Sequence, residues 1–246
     1  MSINPGFMPM TMGGGYNSLV AGLAPLLWYR MDEAATPAVN RGSLGSAANG
    51  TVANMGAFQQ AGPNAIIPLA YDYNGTTSII TVPVTAGMES ASFTVACLVN
   101  PDNAGEGSVG YFVELNTAAA ASQFFLFFNS ALTSIQARIY NTGATNFNTN
   151  TTTGISAGVW TWVFAQFNAA TGLCRLWKSV SGILTEFAYS VNPALTGTAR
   201  QAGRGYVGTN VTGAGTQDGK YAQFMQFGSL LSTADMQSII TLSGVT

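Results

Sequence analysis

The stretch Ser92-Phe93-Thr94-Val95-Ala96-Cys97-Leu98-Val99-Asn100 decides the fold class. Phe93, Val95, Cys97 and Val99 recur with a period of two, which sets them on one face of a half-buried strand. Trp160-Thr161-Trp162-Val163-Phe164-Ala165-Gln166-Phe167 is apolar on both faces, as expected of a strand inside a sandwich. Phe124-Phe125-Leu126-Phe127-Phe128 reads as another buried run, and Ile79-Ile80-Thr81-Val82 as a short β-branched one closed by Pro83. Over residues 135–140, Ile135, Ala137 and Ile139 share one face while Gln136 and Arg138 share the other. Residues 173–178, 187–191 and 221–227 complete the set. Gly, Asn, Pro and Ser separate these runs, and residues 141–158 read as a long uncharged loop. Many short strands divided by turn signals predict an all-β chain, a two-sheet antiparallel jelly-roll sandwich.

One helix has start signals. Ser232-Thr233-Ala234-Asp235 has capping-box spacing, with Ser232 as N-cap, and Met236, Ile239 and Ile240 follow as an apolar stripe. The sequence therefore predicts one short C-terminal helix. The first eighteen residues differ from the rest. They hold four of the nine methionines, Pro5, Pro9 and Gly13-Gly14-Gly15, and no charge. That composition predicts an irregular, extended N-terminal arm over 1–18 ahead of a single jelly-roll domain over 19–246. A methionine-rich arm fills irregular grooves, so Phe7, Met8, Met10, Met12 and Tyr16 are the expected contacts with a partner.

Composition excludes several functions. Charged residues are 7% of the 246, against about 25% in soluble domains. Eight dispersed Lys and Arg cannot form the basic face that nucleic-acid binding requires. With no His, imidazole acid–base chemistry, His triads and His metal sites are absent. Cys97 and Cys174 lie in apolar runs and read as reduced core thiols. The apolar stretch 19–29 is too short to span a bilayer and contains Pro25. No basic residue precedes Arg30, so no export signal is expected, and no membrane partner.

Several segments, in order, resemble the laminin-G-like, concanavalin A-like jelly-roll family. Leu27-Trp28-Tyr29-Arg30-Met31-Asp32-Glu33 is similar to its opening "YxLDE" strand, and Asn49-Gly50-Thr51 to its following "GT". Tyr71-Asp72-Tyr73-Asn74-Gly75 with Ile80-Thr81-Val82-Pro83 is similar to "FDGxxxxxxVP". Ser92-Phe93-Thr94-Val95 with Pro101 is similar to "SFTVxxWVxP". Trp160-Thr161-Trp162-Val163 with Thr171-Gly172-Leu173-Cys174-Arg175-Leu176-Trp177 is similar to "WTHVxxxxdxxtGxxRLYVdG". Residues 219–235 resemble "GxIDEVRIYNxALSxxEI". Together these cover residues 24–242. Ala222-Gln223 stand where the family has Asp-Glu, and Met225 where it has Arg.

The resemblance implies the sandwich and, in some members, calcium or sugar binding. Calcium takes six to eight oxygens, commonly several carboxylates. Asp72, Asp102 and Asp218 stand alone in their loops, so no metal-ligating set is expected. Carbohydrate cleavage on such a sheet uses two facing carboxylates, and the close pair Asp32-Glu33 points to opposite faces of a strand. No catalytic residue and no cofactor are therefore expected.

Two non-catalytic readings follow. The first is a virion structural, decoration or fibre protein of a bacteriophage, assembled in the host cytoplasm. It would contact other virion proteins and copies of itself, partly through the arm. Low charge and the arm motivate it, with the fold supplying only analogy. The alternative is a carbohydrate-binding, lectin-like module recognising host-surface glycans. Tyr111, Tyr140, Phe147 and Tyr206 are then the candidate stacking platforms.

Overall fold

A computed structural model describes residues 14–103, 109–116, 123–129, 131–140, 146–150, 154–191, 204–209 and 215–246. In chain order the elements are α1 (Gly14–Gly22), β1 (Leu27–Tyr29), β2 (Thr51–Ala53), β3 (Ala57–Ala61), β4 (Leu69–Asn74), β5 (Ile79–Val82), β6 (Phe93–Asn103), β7 (Val109–Asn116), β8 (Gln123–Asn129), β9 (Ile135–Tyr140), β10 (Asn146–Asn150), β11 (Thr161–Asn168), β12 (Leu173–Val180), β13 (Ile183–Val191), β14 (Arg204–Val207), β15 (Asp218–Phe227) and α2 (Thr233–Ser243). An eight-stranded sheet has the order β13-β12-β11-β6-β15-β4-β3, with β1 also on β15. A seven-stranded sheet has the order β10-β9-β8-β7-β14-β5-β2. The ladders between these strands are antiparallel. The two sheets pack face to face as a jelly-roll sandwich.

Alternation builds the core between them. Phe93, Val95, Cys97 and Val99 of β6 meet Phe112, Phe124, Leu126 and Phe128 of the other sheet in one buried cluster. Phe93 and Phe124 pack edge to face, with ring centroids 4.9 Å apart. Cys97 and Cys174 are both free and buried there. Burial pushes the Cys97 thiol up to about 12, against a smaller opposing hydrogen bond with Tyr221.

The other face of β6 is buried too, so the strand is not half-buried as the alternation predicts. Ala96, Leu98, Trp162, Phe164, Trp177 and Met225 form a second cluster under the two helices. Met236, Ile239 and Ile240 of α2 lie on it, as do Tyr16 and Val20 of α1. Trp162 Nε1 donates to Ser243 Oγ of α2 at 3.0 Å. The capping box of α2 forms as its spacing predicts, with Asp235 N donating to Ser232 Oγ at 3.1 Å.

Two further local expectations differ from the structure. The glycine run argues against regular structure up to residue 18, yet α1 spans Gly14–Gly22 and crosses the expected arm–domain boundary. Burial of Tyr16 and Val20 on the second cluster outweighs the helix cost of the glycines. Residues 146–150 lie inside the stretch expected to be a loop, but they pair with β9 as the edge strand β10. Asn and Thr give that strand little side-chain signal, and its backbone ladder decides.

Candidate functional site

The outward face of the seven-stranded sheet carries side chains that the core does not need. On β7, β8 and β9 the inward set is Phe112, Val113 and Leu115, then Phe124, Leu126 and Phe128, then Ile135, Ala137 and Ile139. The alternate positions point away from the sandwich. Register aligns them in a row. Tyr206 of β14 stands opposite Glu114 of β7, Glu114 opposite Phe125 of β8, Phe125 opposite Arg138 of β9, and Arg138 opposite Asn148 of β10. At the other end Tyr206 stands opposite Thr81 of β5. The row crosses six strands, about 24 Å at 4.8 Å per strand.

A second row beside it aligns Tyr111, Phe127, Gln136 and Asn150. Tyr111 packs on both outward phenylalanines, at 5.7 Å from Phe125 and 5.3 Å from Phe127. The Arg138 guanidinium lies over the Phe127 ring, 5.2 Å from its centroid. A β-bulge between Tyr111 and Val113 keeps Tyr111 outward while Phe112 and Val113 both reach the core. Gly215, at φ 72°, lets the loop before β15 close on the Tyr111 ring, where a Cβ would collide. Tyr111, Phe125, Arg138, Gln136 and Tyr206 are half-buried, whereas Glu114 is fully buried. With the Glu114 carboxylate closed off, the face offers aromatic planes, a guanidinium, an amide and tyrosine hydroxyls, apolar surface and hydrogen-bond partners of both kinds.

Of the sequence-predicted platforms, Tyr111 and Tyr206 lie on this face. Tyr140 holds the register position beside Arg138's row, opposite Gln123 and Asn146. Phe147 holds the register position opposite the core residue Ile139. Glu114, Phe125 and Arg138 are the members that sequence reading misses. Of the expected partner contacts, Phe7, Met8, Met10 and Met12 lie outside the described residues. Tyr16 is buried within its own chain, and burial drives its pKa well up.

The acidic residues have other occupations. Asp32 meets Arg30 Nε at 3.2 Å and Arg41 Nη2 at 3.0 Å. Glu33 accepts from the Tyr71 hydroxyl at 2.9 Å and from Val39 N at 3.3 Å. This adjacent pair therefore braces the segment after β1. Asp72, Asp102 and Asp218 are not isolated in space. Asp218 stands between Asn74 and Asn103 in register, and Asp72 lies opposite Lys220. The Asp72 pKa is raised first by burial, then by the Asp102 charge. Among the described residues, no group of three or more His, Cys, Asp or Glu is placed to hold a metal ion.

No family model matches the sequence, and no curated protein matches it. Solved structures do share its fold. The botulinum neurotoxin serotype D binding domain superposes with a TM-score of 0.61 at 13% identity, over 91% of this chain and 52% of that one. The botulinum neurotoxin serotype G binding domain gives 0.62 at 11% identity, over 89% and 51%. A Trypanosoma rangeli sialidase in complex with the inhibitor DANA gives 0.60 at 15% identity, over 94% of this chain and 37% of that one. The chain spans about half the length of the toxin domains and less of the sialidase. At such identities the likeness is one of fold: this chain has the jelly-roll sandwich that those proteins contain.

Proposed function

We propose that the chain is a non-enzymatic, lectin-like module that binds glycans on the outward face of its seven-stranded sheet. The observation that carries this reading is the cross-strand row Tyr206–Glu114–Phe125–Arg138 on a face the core leaves free. Tyr206 and Phe125 supply planes for the C–H faces of sugar rings. Arg138 and Gln136 supply donors and an acceptor for hydroxyls. The sheet fixes their spacing before any ligand arrives, which lowers the ordering cost of binding. The toxin domains and the sialidase support the reading only by sharing the scaffold.

A glycan array tests it, with the intact chain against Tyr206→Ala and Arg138→Ala. The reading predicts selective binding that each substitution weakens about tenfold or more, or 1.4 kcal/mol, with unchanged melting temperature. No binding to any glycan, or binding indifferent to both substitutions, overturns it.

Composition favours a second reading, compatible with the first. Only 7% of residues are charged, and the methionine-rich N-terminal segment carries no charge at all. On this reading the chain is a bacteriophage decoration or fibre protein, and Phe7, Met8, Met10 and Met12 dock on neighbouring virion subunits. Each side chain gains about 1.5–3 kcal/mol on full burial. Co-sedimentation with virions that is lost on deleting residues 1–13 supports it, and co-sedimentation that survives the deletion removes its basis.

A further inference from the structure

The eight-stranded sheet carries a different cluster at its free end, on the outward face beyond α2. Tyr189 of β13 stands opposite Arg175 of β12, and Glu186 stands opposite Trp177. Tyr189 is 70% exposed, the most exposed large hydrophobic side chain among the described residues. Arg175 Nη1 and Glu186 Oε2 are 3.7 Å apart, beyond hydrogen-bond length, and both side chains are substantially open to solvent. On one side of Arg175 is a cleft of about 320 Å³ bounded by Gln166, Asn168, Trp177 and Leu230. On the other is a depression bordered by Glu186 and Tyr189.

A β-bulge makes this arrangement. The ladder between β12 and β13 slips between Leu176 and Trp177, where Ala188 is followed by Glu186 as the next partner and Phe187 is left over. With regular pairing, Glu186 would face Lys178 on the opposite side of the sheet. The extra residue turns Glu186 onto the face of Arg175 and Tyr189, the re-aiming that bulges perform beside binding sites. The same end is unsuited to adding another strand. Gln237 of α2 already accepts from Leu184 N at 2.8 Å and donates to Gly182 O at 2.9 Å, and the bulge breaks the edge beyond.

We propose that Arg175, Glu186 and Tyr189 form a second glycan site that takes a single neutral hexose residue with vicinal hydroxyls. The Tyr189 ring receives the apolar face of the sugar. The guanidinium and carboxylate, 3.7 Å apart, donate to and accept from two adjacent hydroxyl groups. The pair is neutral overall, which suits an uncharged sugar better than an anionic one. The site lies on the sheet opposite the Tyr206–Arg138 row, so it stands or falls independently of that row.

The test is a two-dimensional NMR titration of the intact chain with methyl glucoside, methyl galactoside and methyl mannoside, with glycerol as control. The proposal predicts saturable shifts at the amides of residues 175, 186 and 189 with at least one glycoside and none with glycerol. Tyr189→Ala and Glu186→Gln should each weaken that response about tenfold or more, while Tyr206→Ala leaves it intact. All three side chains are exposed or half-buried, so unchanged spectra elsewhere verify folding. Shifts at these amides with no glycoside, or shifts that survive both Tyr189→Ala and Glu186→Gln, overturn it.

Discussion

Replacing Trp162 by alanine tests whether α2 seals the outward face of the eight-stranded sheet. Trp162 is completely buried, stacks on Phe164 at 5.7 Å, and donates its indole N–H to Ser243 at the end of α2. Truncating a buried Trp to Ala costs about 3–5 kcal/mol. The upper half of that range applies, because the cavity lies between a sheet and a capped helix that cannot both move in. The lost hydrogen bond is a smaller part, about 1 kcal/mol. Ser243 keeps its own donation to Ile240 O at 2.7 Å, so no donor there is stranded. A total of about 4 kcal/mol corresponds to a drop in Tm of about 8–16 °C for a domain of this size. Urea denaturation followed by tryptophan fluorescence and by circular dichroism gives the free energy directly. Trp162→Phe should lose only about 1–2 kcal/mol, since the ring and its stacking remain. A loss below about 1 kcal/mol for Trp162→Ala would mean that the helix does not cover this face, and the second core cluster would be wrong.

Three further outcomes follow from the same packing. Tyr16, Tyr73 and Tyr221 have pKa values driven well up by burial, and the Cys97 thiol is pushed up to about 12. In the unfolded chain these groups ionise near 10 and 8.5, so above those values the unfolded state binds fewer protons. Stability should then fall as pH rises past about 9, by about 1.4 kcal/mol per unit for each group; a urea midpoint that is flat from pH 8 to 11 would contradict this. Gly208 has φ 83° and a Cβ there would enter the Tyr73 ring, so Gly208→Ala should cost about 2 kcal/mol or more by denaturation, and a neutral result would refute that close contact. Chelation by EDTA should leave Tm unchanged, whereas a rise of many degrees with calcium would show that Asp72, Asp102 and Asp218 jointly hold the ion.

The periodicity of residues 93–99 is legible because one strand's inward set depends only on its own alternation. The burial of Ala96 and Leu98 is not legible there, because the atoms that cover them come from Tyr16 and Val20 at one end of the chain and Met236 to Ile240 at the other. The same limit applies to the site. Tyr111 and Tyr206 stand out in sequence as aromatics beside polar stretches, but nothing local joins them. Phe125 and Phe127 are hidden in a run that reads as wholly buried. The outward alternation of Gln136 and Arg138 on the neighbouring strand is the signal that places Phe125 and Phe127 on the sheet's other face, where Phe127 is still buried. Glu114 looks like an ordinary lone acid until register sets it between Tyr206 and Phe125. Asp32-Glu33 misleads in the other direction: the closest acidic pair in the sequence serves Arg30, Arg41 and Tyr71.

If the proposal holds, the seven-stranded sheet presents its outward face to a glycan. The most direct measurement is a crystal structure of the chain with the glycan it selects on the array, an oligosaccharide of four or more units. Sugar density is expected across β14, β7, β8 and β9, with rings against Tyr206 and Phe125 and hydroxyls on Arg138 and Gln136. A glycan seated wholly elsewhere, with Tyr206, Phe125, Arg138 and Gln136 untouched by sugar, would contradict it.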